Sequence, residues 1–197
     1  MLKDRNVIGV LALQGAFEAH REVFHRLGVN SVPIRTAEEL AEVDALVLPG
    51  GESSAMLRLM EPRGLLDLIR KRIQGGLPVF ATCAGVILLA AEVTPHQMCL
   101  GVLDVDIQRN AYGRQVFSSI EPLRFSPAID GECTAEGVFI RAPRLTRVGD
   151  DVEILAWRKD DPVLVRAAGI LAATFHPELG QGTGIHEFFL KHMDRQA

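Results

Sequence analysis

Residues 7–13, VIGVLAL, form a near-continuous apolar run, the pattern of a parallel strand covered on both faces rather than the alternation of a half-exposed one. The run predicts a central strand. Residues 17–27 place Phe17, Val23, Phe24 and Leu27 at helical spacing, and Gly28 stands where a left-handed C-terminal cap belongs. A short strand over 31–34 follows. Thr36 and Glu39 have the spacing of a capping box, opening a brief helix that leads to a buried strand over 45–48 and then to PGGESS. Residues 56–60 and 65–73 read as helical, with Gly75 and Gly76 as the stop. A strand over 78–82 and a helix over 85–92 come next.

This alternation of strand and helix is the signature of a doubly wound α/β sheet, mostly parallel and flanked by helices. From about Gly101 the texture changes. LDVDIQ, VFSSI, GVFIRA, VEILAWR and PVLVRAA are short strand-like runs separated by Gly, Asp and Pro, which predicts antiparallel additions to the sheet. Residues 170–175 return to a buried apolar run, HPELGQGTG follows as a loop, and 185–193 make a last amphipathic helix. No repeat or linker interrupts the pattern, so residues 1–197 read as a single domain.

Composition narrows the functional classes. The chain is 48% hydrophobic and 23% charged with net charge −4, which argues against disorder and against a basic nucleic-acid surface. Three cysteines, Cys83, Cys99 and Cys133, are an odd number with no C-x-x-C pair, so neither a disulfide framework nor a cysteine-rich zinc site is indicated. The start imitates a secretory signal, with Lys3 and Arg5 ahead of apolar residues, but Asp4 and the shortness of the run before Gln14 weaken that reading. No stretch approaches the roughly 20 apolar residues a membrane helix needs. The expectation is a cytoplasmic protein with no membrane contact.

In open α/β sheets the ligand site lies beyond the carboxyl ends of the strands, so the informative loops are LQGA, PGGES, TCAG and FHPEL. Cys83 stands between a strand and a helix. Such a cysteine can be ordinary core filling; it can also be a nucleophile elbow, with the Ala84 amide aimed at an oxyanion and Gly85 relieving the crowding of strand and helix. A free thiol is only about 3% thiolate at pH 7, so a nucleophilic cysteine needs a base. His176-Pro177-Glu178 offers one: Pro177 keeps His176 extended, and residues two apart on an extended chain face the same way. Glu178 can then accept Nδ1–H while Nε2 faces the thiol, a Cys-His-Glu triad. Gly50 and Gly51 are either a plain turn or a side-chain-free approach to substrate, with Gly51 as second oxyanion donor. Glu52 is either a solvated acid or a partner for a substrate ammonium group.

LALQGA, LPGGES, TCAG, RNAYGRQ, VFIRAP and FHPEL, in this order, resemble the class I, triad-type glutamine amidotransferases, and most closely one branch, the glutaminase subunits of pyridoxal 5′-phosphate synthase. The likeness runs from about residue 7 to the last helix. It implies a flavodoxin-like sheet and hydrolysis of L-glutamine to glutamate and ammonia through a γ-glutamyl thioester on Cys83, with His176 as general base and acid and Glu178 orienting it. No cofactor is implied for this subunit. Gly51 and Ala84 become the oxyanion amides, Gly51, Glu52 and Ser53 hold substrate, and Arg109, Ile140 and Arg141 complete the substrate site. An arginine fork suits a glutamine carboxylate, although either arginine taken alone reads as a surface salt bridge. The resemblance also implies a (β/α)8-barrel synthase partner that takes ammonia by a protected route to make pyridoxal 5′-phosphate, with Gln14 near the oxyanion site at the subunit contact. Gln14 could equally be a simple loop amide.

Two positions depart from the pattern. Ala81 replaces the usual glycine two residues before the nucleophile, and GGES is followed by Ser54 rather than threonine. His20, His25, His96, His186 and His192 lack metal-ligand spacing and read as structural or surface residues, Cys99 and Cys133 as core thiols. Asp150-Asp151 and the cluster from Arg158 to Asp161 read as solvated turns. The rival readings are the glutaminase of another amidotransferase, serving histidine or purine synthesis, a cysteine hydrolase or stress protein of similar architecture, and a non-catalytic binding module of the same fold.

Overall fold

The computed structural model describes residues 7–111, 118–129 and 136–193. In chain order the strands are β1 (Ile8–Leu11), β2 (Ser31–Ile34), β3 (Ala45–Leu48), β4 (Val79–Thr82), β5 (Ala90–Thr94), β6 (Leu103–Gln108), β7 (Ser118–Pro122), β8 (Arg124–Phe125), β9 (Glu136–Ile140), β10 (Arg144–Val148), β11 (Glu153–Arg158), β12 (Asp161–Ala167) and β13 (Ile170–Ala173). The helices are α1 (Phe17–Arg26), α2 (Ala37–Ala41), α3 (Ser53–Met60), α4 (Leu65–Gln74), α5 (Ala84–Leu89) and α6 (Gly184–Met193). The main sheet has eight strands in the order β2-β1-β3-β4-β13-β12-β11-β8. Its β2-β1-β3-β4-β13 half is parallel, and β12, β11 and β8 continue it antiparallel.

Why the central strands read as unbroken apolar runs is plain from the packing. In β3, Leu46 and Leu48 join one core with Met56, Leu65, Ile69 and the residues of α5, whereas Ala45 and Val47 join the opposite core with Phe24, Phe188 and Phe189. Both faces are covered, so no position can be polar. Local signals hold as well. Thr36 and Glu39 form a reciprocal capping box, Thr36 accepting from the Glu39 amide and Glu39 from the Thr36 amide. Gly28, at φ +70°, ends α1 with Gly28 N donating to His25 O and Val29 N to Phe24 O, the two bonds of a Schellman turn.

Several boundaries differ from expectation. Residues 85–92 are not one helix: α5 stops at Leu89 and the chain turns directly into β5, because the apolar run VILLAA fits a buried strand as well as a buried helix. The additions after Gly101 do not all join the main sheet. Only β8, β11 and β12 do; β6 pairs with β5 and β10 in a three-stranded sheet, and β7 pairs with β9 in a two-stranded one. Arg158 and Asp161 are half-buried and paired: Arg158 pairs with Glu121 at 2.8 Å and lies over the Phe139 ring, and Asp161 accepts from Arg144. Asp150, Asp151, Lys159 and Asp160 are exposed. Cys99 is half-buried, its thiol donating to Ala91 O, whereas Cys133, Tyr112 to Gln115 of RNAYGRQ, and Lys3, Asp4 and Arg5 lie outside the described residues.

Candidate active site

The site forms where β1, β3, β4 and β13 end. Cys83 follows β4 with φ +46° and ψ −102°, a conformation that costs a non-glycine residue of order 1–3 kcal/mol and that only the surrounding fold can hold. Two contacts hold it. Cys83 N donates to Ala173 O of the neighbouring strand at 2.8 Å, and α5 begins at once with Ala84. Gly85 is obligatory: a Cβ there would stand 2.1 Å from Leu48 O. Ala81, where a glycine was the expected pattern, is fully buried within β4 and fits between Leu48 and Ala172.

The parallel pairing of β4 with β13, Thr82 opposite Ala173, delivers the second segment beside the first. His176 N donates to Val138 O at 2.8 Å, which fixes the chain as it leaves the sheet. His176 Nδ1 lies 2.7 Å from Glu178 Oε1, both side chains being almost fully buried. The expected pairing is present, but the backbone that makes it is not extended. Pro177 occupies the first position of a 3₁₀ turn over Pro177–Leu179, and that turn, rather than strand geometry, swings Glu178 under the imidazole. Burial works to lower the His176 pKa, yet the hydrogen bonds to Cys83 and Glu178, with the negative charge of both, push it up to about 10. Burial likewise works to raise Glu178, and His20 and His176 together hold it below the ordinary carboxylate range. A protonated imidazole beside the sulfur is therefore the favoured state at neutral pH.

A cavity of about 140 Å³ opens beside these groups, lined by Gly51, Glu52, Ser53, Cys83, Arg109, Ile140, Arg141 and His176. The residues read from the sequence as nucleophile, base and substrate contacts thus share one wall system. Cys83 Sγ also reaches Ile140 O at 3.9 Å, and Arg141 beside it has φ +45°, a second strained residue at the cavity rim. Gln14 is brought to the glycine loop, its amide donating to Glu52 O at 3.2 Å, and the Gly51 Cα faces it so closely that a Cβ would sit 2.2 Å from Gln14 Nε2.

Glu52, exposed at the cavity rim, has a further role that its spacing did not suggest. Its carboxylate caps α3, accepting from Ser54 N at 3.1 Å and Ala55 N at 2.8 Å. Burial alone would raise its pKa; those hydrogen bonds and the nearby Arg109 guanidinium hold it below the usual range. Arg109 sits 3.6 Å from Glu52 and donates to Ser54 Oγ at 3.3 Å, so the hydroxyl kept at Ser54 is used. Sequence reasoning missed Gln97, a nearly buried loop residue whose Oε1 accepts from Ser53 Oγ at 3.0 Å. Of the histidines expected to be structural or surface residues, His20 and His186 are structural, both wholly buried, His20 beside Glu178 and His186 against His20.

The sequence profile of the SNO glutamine amidotransferase family matches residues 10–195. The chain belongs to that family. A SNO-family relative from Thermotoga neapolitana, pyridoxal 5′-phosphate synthase subunit PdxT, is 49% identical over 185 residues, covering 93% of this chain and 97% of that protein. The protein of the same name from Thermus thermophilus is 46% identical over 190 residues, covering 95% and 97%. A crystal structure of a glutamine amidotransferase, 46% identical, superposes with a TM-score of 0.87 over 95% of this chain and 99% of that one. PurLQS from Thermotoga maritima shares the fold at 13% identity, with a TM-score of 0.69 over 95% of this chain and 98% of that one. The branch that the six motifs resemble is the branch of the near relatives.

Proposed function

We propose that this SNO-family chain is, as one domain, the glutaminase subunit of a pyridoxal 5′-phosphate synthase. The observation that carries the reading is the strained elbow at Cys83 facing a His176 already hydrogen-bonded to Glu178, in a chain nearly half identical to proteins named as that subunit. His176 Nε2 takes the Sγ proton and the sulfur attacks the side-chain amide carbon of L-glutamine. The oxyanion forms against the Gly51 and Ala84 amides, the second of which, as the first amide of a helix, has no partner within that helix. The imidazolium returns its proton to the amide nitrogen, the C–N bond breaks and ammonia leaves, with the acyl group held as a thioester. Water, deprotonated by His176, then attacks that carbonyl and releases glutamate and the thiol.

Arg109 and Arg141 supply positive charge for the substrate carboxylate, and the Ile140 carbonyl and Glu52 face its ammonium group, while Ser53 lines the same cavity. The partner is a (β/α)8-barrel synthase that receives ammonia, with Gln14 at the contact. No described helix is long and apolar enough to cross a membrane; we place the reaction in the reducing cytoplasm, where the thiol persists. A glutaminase for histidine or purine synthesis would share the fold, as PurLQS does, but the identity to PdxT proteins favours the pyridoxal branch. A retired binding module has no use for an intact triad.

The test is direct. A glutamine-like diazoketone labels Cys83 covalently, glutamine protects, and Cys83→Ala loses both labelling and glutaminase activity; labelling at another cysteine refutes the site. Co-purification with the candidate barrel synthase, and faster glutamine turnover on mixing, separates this branch from the others.

A further inference from the structure

Behind Glu178 lies a buried polar chain that the scheme above leaves unused. His20 of α1 and His186 of α6 have no exposed surface. His20 Nδ1 is 2.9 Å from His186 Nε2, and His20 Nε2 is 3.1 Å from Thr82 Oγ1 and 3.4 Å from Glu178 Oε2. Glu178 therefore stands between two imidazoles, with Oε1 on His176 and Oε2 facing His20. Among the described residues Oε2 accepts no hydrogen bond, and His20 Nε2 faces it at 3.4 Å. A carboxylate held by one oxygen can rotate; an N–H dipole facing the other oxygen opposes that rotation.

The protons can be assigned by elimination. The Phe24 and Phe80 rings pack on His186, Phe80 also packs on His20, and burial lowers the pKa of both histidines, in the case of His20 against the pull of the Glu178 charge. The charged groups that act on the pair are Glu178, His176 and Arg26. Both imidazoles are therefore neutral, and a single proton lies between them. If His20 Nδ1 carried it, the bare Nε2 lone pair would face the Glu178 carboxylate, and His186 Nδ1–H would be a buried donor with no acceptor. If His186 Nε2 carries it, His20 has its proton on Nε2, aimed at Thr82 Oγ1 and Glu178 Oε2, and His186 Nδ1 is only a bare acceptor. The second arrangement removes the repulsion at Glu178 and replaces an unpaired buried N–H with an unpaired ring lone pair.

We propose that His20 is a positioning residue for the reaction: its Nε2–H, kept in that tautomer by His186 and hydrogen-bonded to Thr82 Oγ1, presents its positive end to Glu178 Oε2 at 3.4 Å, so that Oε1 stays aimed at His176 Nδ1. The inference rests on the glutaminase reading of Cys83, His176 and Glu178 and extends it through a helix on the far side of the carboxylate.

Two experiments on the full chain test it. Nitrogen-15 imidazole spectra of the unaltered protein should show His20 and His186 as neutral Nε2–H tautomers from about pH 7.5 to 9; an Nδ1–H tautomer at His20, or titration of His20 in that window, overturns the proposal whether or not any variant folds. His20→Leu should lower kcat by about 10- to 100-fold with KM little changed, the loss expected when a reacting group is displaced by up to 1 Å. In the same variant iodoacetamide alkylation of Cys83 at fixed pH should slow by about tenfold, because a displaced imidazole activates the sulfur less well. His20→Gln, which keeps a donor near the Nε2 position, should recover most of both. A merely structural histidine would lower the melting temperature and leave the alkylation rate in place. A folded His20→Leu protein with the parent's alkylation rate and kcat overturns the proposal. Failure of the underlying reading shows separately, as an unaltered protein that neither hydrolyses glutamine nor alkylates at Cys83.

Discussion

Gly50→Ala is the sharpest probe of how the base is held. A Cβ at position 50 would stand 2.3 Å from His176 Cε1 and 2.9 Å from Nδ1. Carbon atoms settle about 3.5 Å apart, so the ring must retreat by about 1.2 Å. Retreat is not free, because His176 N is tied to Val138 O, Nδ1 is tied to Glu178, and the side chain is almost fully buried. The Gly50 backbone cannot yield either: Gly50 O accepts from Ala16 N at 2.9 Å and lies against Gly15. The imidazole is thus the part that moves, out of the position in which it serves the sulfur. A misplacement of about 1 Å costs about 100-fold in rate, or about 2.7 kcal/mol of barrier. The strain on the fold is the smaller effect, about 1–2 kcal/mol for local overpacking, or a melting temperature lower by about 2–8 °C in a chain of this size. The assay is kcat/KM for glutamine at a temperature where circular dichroism shows the variant folded, with Cys83 alkylation alongside. A folded Gly50→Ala protein within threefold of the parent would refute the claim that this glycine sets the position of the base.

Gly85→Ala inverts the balance, since its Cβ meets the backbone oxygen of Leu48 at 2.1 Å rather than a side chain; thermal unfolding should report about 3 kcal/mol lost and a melting temperature down by about 6–12 °C. Glu52→Ala removes the α3 cap and should cost about 1 kcal/mol in chemical denaturation, and it should raise KM for glutamine because Arg109 loses the carboxylate that orients it. Stability should also fall with acid in a defined window. His20 and His186 have folded pKa values below their unfolded value near 6.5, so below pH 6.5 the unfolded chain takes up protons the folded chain refuses, at about 1.4 kcal/mol per group per pH unit until the folded group itself titrates. His176, raised to about 10, has the opposite sign: its contribution is complete below pH 6.5 and fades as pH rises toward 10. Urea midpoints measured from pH 5 to 9 should peak between these limbs, and a midpoint that does not fall below pH 6.5 would contradict neutral burial of the two histidines.

What the sequence made legible is what is local. The strands β1 and β3 were readable because burial on two faces leaves no polar residue to confuse the pattern, and the capping box because its two partners are three residues apart. The elbow was readable because Cys83, Ala84 and Gly85 are consecutive. Errors begin where one stretch satisfies two geometries. VILLAA continues a helix or starts a strand with equal hydrophobicity, and only the pairing of Ala90 with Leu103 selects the strand. His176 and Glu178 were paired for a partly mistaken reason, since extended backbone and a 3₁₀ turn both bring an i, i+2 carboxylate to the imidazole. His20 and His186 were unreadable in principle: 166 residues separate them, and no spacing within α1 or α6 marks either one as different from the exposed His25.

The glycines show the same limit from another side. Read along the chain, Gly15, Gly50, Gly51 and Gly85 are turn formers or oxyanion donors. In the fold each is a place where two loops touch with no room for a methyl group: Gly15 against Gly50 O, Gly50 against His176, Gly51 against Gln14, Gly85 against Leu48 O. Only Gly15, at φ +95°, also needs the backbone freedom that glycine alone enjoys. The loops after β1, β3, β4 and β13 are therefore locked together by close approach, and this is how a nucleophile on one strand and its base on the next keep a fixed separation without a side chain spanning them. Activity should then be most sensitive at glycines whose neighbour is a reacting side chain and stability at those whose neighbour is backbone, which is why Gly50 and Gly85, though both pack against the same site, are expected to fail in different assays.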